Sequence, residues 1–272
     1  MQRLDGADEI VHTRNATFQQ LHALLGNRTK RHRQQSFLVQ GVRPLTIALD
    51  REWPLRVLLG PLDREVSSWA AEAWRHSTAP KTLMPAELLD ELGEKADVTE
   101  LVGVAEMPAD DPERLPTDAG PIVLIDRATQ PRNLGMLARS IDAFGGAGLI
   151  VTGHAADPYD PQAVRASTGS LLAVPVLRAE GPEQVQEWFE RGSWQYVGTD
   201  ETGERELREL DLVRPTVIVL GNETRGMSSA WWEACDTTVA LPIVGTASSL
   251  NVAVTGSIVL HEALRQRIDA GV

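Results

Sequence analysis

The sequence predicts two α/β domains, the second of them built on a mostly parallel sheet. A length of 272 residues is comfortable for two domains, and 42% apolar residues are enough for packed cores. Residues 107–120 combine three prolines with several acids and few apolar side chains, which is typical of a linker. On both sides of it, short apolar runs alternate with helix-like stretches. We therefore expect domains over 1–106 and 121–272.

The first domain is predicted to be a small α/β unit, because its helices and strands alternate. The predicted helices cover 17–25, 41–49, 66–76 and 85–92, and the predicted strands cover 56–60 and 100–106.

The second domain shows the same alternation more clearly. Its predicted strands are 122–125, 148–152, 173–176, 195–198, 216–220 and 238–241, and its predicted helices are 133–144, 161–167, 182–191, 230–234 and 249–267. Short, wholly apolar strands between helices indicate a parallel sheet covered on both faces. Ligands bind outside the carboxyl ends of such strands, so the loops after Ile125, Leu220 and Leu241 are the candidate site.

Composition excludes several classes of protein. One cysteine, Cys235, cannot form an internal disulfide or a Cys-based zinc site, and the six histidines lack metal-ligand spacing, so we expect no metal. The first ten residues lack the apolar core of a signal peptide, and no run approaches the roughly 18 apolar residues of a membrane span. A cytoplasmic location without membrane attachment is expected.

The charge is unevenly distributed along the chain. The net charge is -12, yet residues 1–60 carry nine Lys and Arg against five acids. The densest basic run contains Arg28, Lys30, Arg31 and Arg33. A local basic patch can bind phosphate groups even on an acidic protein. Charge alone is equally consistent with a solvated helix end or loop.

Each of the three candidate loops has a functional and an ordinary interpretation. In the first, Asn133 could cap a helix and Arg139 could help to bind phosphate, or the pair could be a cap and a surface arginine. In the second, Gly221 and Gly226 allow close approach of a ligand to the backbone and Glu223 could orient a polar group, or the segment could be a plain strand-to-helix turn.

The third loop places small hydroxyls before a long apolar helix. Ser248 or Ser249 could simply be the N-cap of that helix. Asn251 is predicted to lie inside the first turn, where asparagine has poor helix propensity. A local preference that is broken without compensation points to function.

Taken together and in order, the three loops resemble the signature motifs of the SpoU/TrmH family of RNA 2'-O-ribose methyltransferases, within the SPOUT superfamily. The residues that carry the resemblance are Asn133, Gly135 and Arg139 in the first loop, Gly221, Asn222, Glu223 and Gly226 in the second, and Pro242, Ser249, Leu250, Asn251 and Val252 in the third. The likeness extends over about 121–267. The first domain resembles the family's RNA-binding domain through Arg14-Asn15, 31–33 and 37–41, with Gln40 where the family usually has Glu.

This resemblance implies a fold, a cofactor and partners. The C-terminal SPOUT domain would contain a deep trefoil knot that binds S-adenosylmethionine, and the chain would form a homodimer through knot-side helices that include 249–267. The residues implied for cofactor binding are Thr199, Gly221, Leu241, Ile243 and Leu250. The residues implied for catalysis are Arg139, Asn133, Glu223, Ser249 and Asn251. The residues expected to bind RNA are Arg28, Lys30, Arg31 and Arg33.

The implied chemistry is methylation of a ribose 2'-hydroxyl in RNA, with 23S ribosomal RNA expected. A free guanidinium has a pKa above about 12 and is a poor base. Arg139 is therefore expected to bind the adjacent phosphate and to stabilise charge that develops on the oxygen.

Other functions remain open at this point. A transfer RNA substrate and a ribosomal RNA methyltransferase that confers antibiotic resistance both fit the motifs. A non-catalytic RNA-binding homologue is a further alternative, against which the intact Asn133, Arg139, Ser249 and Asn251 argue. A nicotinamide-dependent oxidoreductase fits poorly, because the glycine-rich run 145–148 precedes a strand and does not follow one.

Overall fold

The chain folds into two units in the computed structural model, which describes residues 1–93, 98–116, 120–189 and 193–272. The first unit comprises Met1–Pro108 and Tyr159–Ala173, and the second comprises Ala109–Pro158 and Val174–Val272.

The secondary structure alternates along both units. The strands are β1 (Glu9–Ile10), β2 (Ser36–Gln40), β3 (Leu55–Pro61), β4 (Lys81–Met84), β5 (Val102–Glu106), β6 (Ile122–Asp126), β7 (Gly148–Thr152), β8 (Val176–Ala179), β9 (Gln195–Thr199), β10 (Arg205–Glu206), β11 (Thr216–Leu220) and β12 (Thr237–Ala240). The helices are α1 (Ala16–Gly26), α2 (Arg28–Gln34), α3 (Val42–Asp50), α4 (Ser68–His76), α5 (Ala86–Gly93), α6 (Pro131–Phe144), α7 (Pro161–Ala166), α8 (Pro182–Trp188), α9 (Ser229–Ala234) and α10 (Val252–Ala270).

The first unit is built on a five-stranded mixed sheet in the order β1-β4-β3-β5-β2. Strand β5 is antiparallel to both of its neighbours, and the other pairs are parallel. The predicted helices and strands of this unit are present, but α2, β1, β2 and β4 were not predicted. The basic run forms α2 because the Asn27 side chain accepts a hydrogen bond from the Lys30 amide, 3.0 Å away, and so caps a helix that has no apolar periodicity.

One segment of the sequence belongs to a different unit than predicted. Tyr159–Ala173 was expected in the second domain, and it packs in the first unit. The Tyr159 ring lies 4.7 Å from the Phe37 ring, centroid to centroid, and the Asp160 carboxylate accepts a hydrogen bond from buried Arg31 at 3.0 Å. Neither contact has a signal in the local sequence, because each joins segments more than 100 residues apart.

The second unit contains a seven-stranded sheet in the order β10-β12-β9-β11-β6-β7-β8, and every neighbouring pair is parallel. This confirms the prediction of an α/β fold with a parallel sheet. The central strands β6, β7 and β11 are buried along their whole length, as the continuous apolar run within each of them predicts.

Helices cover both faces of this sheet. Val217 and Val219 of β11 belong to a core cluster that also contains Trp231 of α9. Leu220 faces the other way, toward α10 and α6. A Cβ on Gly256 of α10 would lie 2.6 Å from Leu137 of α6 and 2.9 Å from Leu220, so a glycine allows these two helices to pack closely.

Several predicted boundaries need correction. The strand expected at 173–176 is β8, which begins at Val176 because Pro175 has no amide hydrogen for the ladder. Within the expected linker, Leu115 is buried in the core of the second unit and Asp110 pairs with Arg178. Residues 117–119 of the linker and 190–191 of the helix expected over 182–191 lie outside the described residues.

No helix in the described parts of the chain is both long enough and apolar enough to cross a bilayer.

Candidate active site

The order of the strands in the second sheet brings the candidate loops together. Strands β6, β11, β9 and β12 are successive neighbours and run parallel, so their carboxyl ends lie side by side at one edge. The loops that follow them are distant in sequence. A site at this edge is the expected position in a sheet of this type.

A cavity of about 380 Å³ opens at this edge, within the size range of small-molecule sites. All five residues expected to bind the cofactor line it: Thr199, Gly221, Leu241, Ile243 and Leu250. The remaining lining residues are Asp200, Glu201, Asn222, Glu223, Thr224, Arg225, Gly226, Val239, Ser249, Val252 and Thr255. Apolar groups from β12 and α10 therefore face a polar turn across the cavity.

The turn after β11 forms one wall from its backbone. The amides of Asn222 and Gly226 each donate to the other's carbonyl oxygen, at 2.9 and 3.0 Å, which closes a tight loop. Gly226 has a φ of +65°, a conformation that favours glycine. A Cβ on Gly221 would lie 2.4 Å from the carbonyl carbon of Gly226, so a side chain there would displace the wall.

Glu223 is the centre of a hydrogen-bond network that joins two loops. One of its oxygens accepts from the amide of Thr129 at 3.0 Å and from its hydroxyl at 2.8 Å. The other accepts from the Gln130 amide at 3.1 Å and from the Asn133 side chain at 3.0 Å. The carboxylate thus lies at the N-terminus of α6, where the helix dipole favours negative charge.

The environment also lowers the pKa of Glu223. Partial burial by itself would raise the pKa of this carboxyl. The hydrogen bonds from Thr129 and Asn133 outweigh it, because they stabilise the charged form, and the pKa lies below its ordinary value.

The network continues into the third loop through two asparagines. The Asn251 side chain donates to the Asn133 side-chain oxygen at 3.1 Å, and its own oxygen accepts from the amides of Ala253 and Val254. Asn251 is therefore the N-cap of α10, which corrects the prediction that it lies inside the first turn. Ser248 and Ser249, which had been candidates for this cap, precede it.

The expectation that Asn133 caps a helix was wrong. Helix α6 begins at Pro131 with Gln130 in the cap position, and Asn133 is buried two residues further on. Proline fits the first position of a helix because its missing amide hydrogen would have no intrahelical partner there. Asn133 is left to join Glu223 and Asn251.

The structure does not bring Arg139 into this network. Arg139 lies on the exposed side of α6 and, within the described ranges, forms no ion pair or hydrogen bond. Ser249 lines the cavity and is exposed in the segment before α10. Four of the five expected catalytic residues therefore border or join one cavity, and the fifth is an unpaired exposed cation.

The profile of the SpoU rRNA Methylase family matches residues 120–261, and that of the SpoU L30e-like domain matches residues 15–102. The chain belongs to the SpoU rRNA methylase family. A relative in Streptomyces viridochromogenes, 23S rRNA (uridine(2479)-2'-O)-methyltransferase, is 49% identical over 265 residues, 95% of this chain and 92% of that protein.

Solved structures of SpoU family members agree with this assignment. The SpoU methyltransferase AviRb from S. viridochromogenes in complex with AdoMet is 49% identical and has a TM-score of 0.89, covering 94% of this chain and 99% of that one. The AdoMet-bound rRNA methyltransferase from Sinorhizobium meliloti is 27% identical, with a TM-score of 0.82 over 94% of this chain and 98% of that one.

In this SpoU family member, one residue expected to bind RNA has a structural role. Arg31 is only 2% exposed. Its guanidinium donates to the carbonyl oxygens of Leu24 and Leu25 and pairs with Asp160. Arg31 is therefore buried in the first unit and is not available to phosphate, which corrects the expectation drawn from the basic run.

The other residues of the basic run remain accessible. Arg28 and Arg33 are exposed and Lys30 is half-buried. Lys30 and Arg33 border a cavity of about 460 Å³ in the first unit, together with Arg56, Gln20, Gln34 and Gln35. The cavity combines three cations with three amide side chains.

Sequence reasoning gave no role to Asp126 and Asn222, which fix the loops. The buried carboxylate of Asp126, at the end of β6, accepts from the Ser228 amide at 2.8 Å and from Arg127 at 3.0 Å. The Asn222 side chain donates to the Arg127 carbonyl at 2.7 Å. A carboxylate that closes the apolar strand IVLID was a usable signal, because buried charges need partners.

Proposed function

We propose that this chain is an S-adenosylmethionine-dependent methyltransferase that methylates a ribose 2'-hydroxyl in 23S ribosomal RNA, in the cytoplasm. The observation that carries the proposal is that the loops after β9, β11 and β12 border one cavity. The network of Glu223, Asn133 and Asn251 joins the loop after β6 to two of these loops. Family membership and a full-length relative that acts on 23S rRNA support the substrate.

The cavity fits the cofactor in size and chemistry. Gly221 lets the turn close against Gly226 and borders the cavity with its backbone. Leu241, Ile243 and Leu250 offer apolar surface to an adenine ring. When bound there, S-adenosylmethionine would supply an electrophilic methyl on a sulfonium with a neutral leaving group. The protein would contribute the alignment of the acceptor, which can lower a barrier by roughly 7–11 kcal/mol.

The residues around the cavity have different proposed roles in holding the loops and orienting the nucleotide. Glu223 is saturated by four hydrogen bonds, so its role is to hold the Thr129–Gln130 turn and Asn133 in place. Asn133 in turn fixes Asn251 and the start of α10. Ser249 offers a hydroxyl at the cavity rim, where it would orient the nucleotide.

Arg139 is assigned to the RNA. An exposed guanidinium without a protein partner is suited to bind a phosphate and to stabilise charge that develops on the 2'-oxygen. The proton of the hydroxyl would leave to that phosphate or to water, because a guanidinium is too weak a base to accept it.

The first unit would bind RNA through Arg28, Lys30 and Arg33. Losing two phosphate contacts to a single strand makes the slope of log K for RNA binding against log salt concentration shallower by about 1.4. The double variant Lys30→Gln/Arg33→Gln should show this change in a filter-binding titration. The double variant Arg43→Gln/Arg51→Gln removes equal charge from exposed positions and should leave the slope unchanged. Equal slopes for both double variants would remove Lys30 and Arg33 from the interface.

We also propose that the C-terminal segment forms a deep trefoil knot and that two copies of the chain form a homodimer. Supporting the knot, the loops after β9, β11 and β12 and the start of α10 border the same cavity. Supporting the dimer, Met136 of α6 and Val254 and Ile258 of α10 leave 37–39% of their surfaces exposed. Exposed apolar side chains on neighbouring helices mark an interaction surface.

The dimer can be tested by its mass in solution. Ile258→Lys should convert a dimer to a monomer in sedimentation equilibrium, because it places a charge in an apolar interface. Ile268→Lys, at the exposed C-terminal end of the same helix, is the matched control. A wild-type chain that sediments as a monomer at micromolar concentration would contradict the proposal.

Methyl transfer itself is tested by incubating the protein with labelled S-adenosylmethionine and, separately, deproteinised 23S rRNA and transfer RNA. The expected result is one 2'-O-methylated nucleotide in 23S rRNA, mapped by its resistance to alkaline cleavage. Label in transfer RNA alone would reject the ribosomal substrate. Label on a base, or none in either RNA, would reject the reaction.

A further inference from the structure

Asp200, an acid outside the three family motifs, lines the proposed cofactor cavity. Asp200 follows β9 directly and lines the cavity beside Thr199. Its amide donates to the Val239 carbonyl at 3.1 Å, which fixes the backbone of the loop against β12.

The two oxygens of the Asp200 carboxylate differ in their hydrogen bonds. Oδ1 accepts from the Thr202 amide at 2.9 Å and from its hydroxyl at 2.7 Å. Within the described residues, Oδ2 accepts no hydrogen bond, and it lies 3.9 Å from where a Cβ on Gly226 would be. Because Gly226 belongs to the cavity wall, the free oxygen is directed at that wall and at whatever binds beside it.

The other charges of the cavity do not neutralise this oxygen. Glu223 is saturated by its four hydrogen bonds. Arg225, the lining cation, forms no ion pair with Asp200 in the described parts of the chain. The lining residues from β12 to α10 carry no charge. Among the residues that the structure describes, Asp200 is therefore a positioned anion without a counter-ion.

We propose that Asp200 is the counter-ion for a cationic group of the methyl donor and makes the cavity select a charged cofactor. This inference rests on the proposed function. S-Adenosylmethionine carries two cations, the sulfonium and the α-ammonium. An anion near either one attracts it most strongly where water is partly excluded. The carboxylate could instead accept hydrogen bonds from the ribose hydroxyls of the ligand. A ligand that keeps the ribose and carries no cation distinguishes the two cases.

The test compares three ligands by calorimetry on the full-length wild-type protein and Asp200→Asn. Asparagine keeps the shape and the acceptor for Thr202 but removes the charge. We expect S-adenosylmethionine to bind Asp200→Asn about tenfold more weakly, equivalent to about 1.4 kcal/mol. 5'-Methylthioadenosine, which keeps adenosine and the thioether but has neither cation, should change less than twofold. Its unchanged binding also shows that the variant cavity is folded.

S-Adenosylhomocysteine, which keeps only the ammonium, shows which cation is involved. Weaker binding of it to Asp200→Asn assigns the ammonium, and unchanged binding assigns the sulfonium; both support the counter-ion. The matched control is Glu233→Gln, which removes the same charge from an exposed position on α9.

Two outcomes would overturn the inference. One is an equal loss for 5'-methylthioadenosine, which would mean a hydroxyl contact or a structural role. The other is unchanged binding of S-adenosylmethionine by Asp200→Asn. A wild-type protein that binds none of the three ligands would instead refute the proposed function, so the two failures are distinguishable.

Discussion

Replacing Glu223 by glutamine should loosen the junction between the first and second loops. The carboxylate accepts four hydrogen bonds, two at each oxygen. Glutamine turns one oxygen into an NH₂ group, so two of the four donors lose their acceptor. Hydrogen bonds to a charged group contribute roughly 1.5–3 kcal/mol each. Because the site is half-buried and water can replace part of the loss, we expect about 2 kcal/mol.

Amide hydrogen exchange measures this effect where it occurs, since a chain with two units need not unfold in one step. A loss of about 2 kcal/mol corresponds to roughly 30-fold faster exchange at the Thr129 and Gln130 amides. Glu233→Gln, which replaces an exposed glutamate on α9, should leave both rates unchanged. Exchange rates within twofold of the wild type in Glu223→Gln would refute the role assigned to this carboxylate.

The pH dependence of this difference has a definite sign. Because the folded pKa of Glu223 lies below its ordinary value of 4.5, its contribution is fully present above about pH 4.5. It is lost as the pH falls from there through the folded pKa. The advantage of the wild type over Glu223→Gln should therefore shrink below pH 4.5, when exchange is measured on both proteins across that range.

Three further predictions concern other parts of the second unit. Arg139→Ala should lower kcat/KM for RNA about 10²- to 10³-fold and leave calorimetric binding of S-adenosylmethionine unchanged; near-normal turnover would exclude its role. Gly221→Ala should weaken S-adenosylmethionine at least tenfold in the same calorimetric assay, because its Cβ would lie 2.4 Å from the Gly226 backbone; wild-type affinity would contradict a backbone wall at this position. Glu262 has a pKa of about 2, set first by its hydrogen bond from Arg265, so its stabilisation is present above pH 4.5 and is lost as the pH falls toward 2. Glu262→Gln should lower the free energy of unfolding by about 0.5–1 kcal/mol at pH 7 and raise the pH midpoint of acid unfolding, which circular dichroism follows. An unchanged midpoint would show that the Glu262–Arg265 pair does not stabilise the fold.

Local sequence was sufficient for the elements that periodicity and apolar runs define. Strands such as TVIVL of β11 and IVLID of β6 were located to within a residue, because a strand buried on both faces contains a continuous apolar run. The five cavity residues implied by the family resemblance also lie together. Their roles in binding and catalysis remain predictions.

Only tertiary structure decided what the polar residues do. Asn133 and Asn251 have the same side chain near the start of a helix, yet one is buried between two loops and the other caps α10. Arg31 and Arg33 are two residues apart in one basic run. Arg31 is buried and pairs with Asp160, 129 residues away, whereas Arg33 is exposed. Apolar periodicity predicts which face of a helix or strand is buried, and so the sequence by itself determined that helices pack on both faces of a parallel sheet. The partner of each hydrogen-bonding group depends on which distant segments meet, and the order of strands in the sheet decides that.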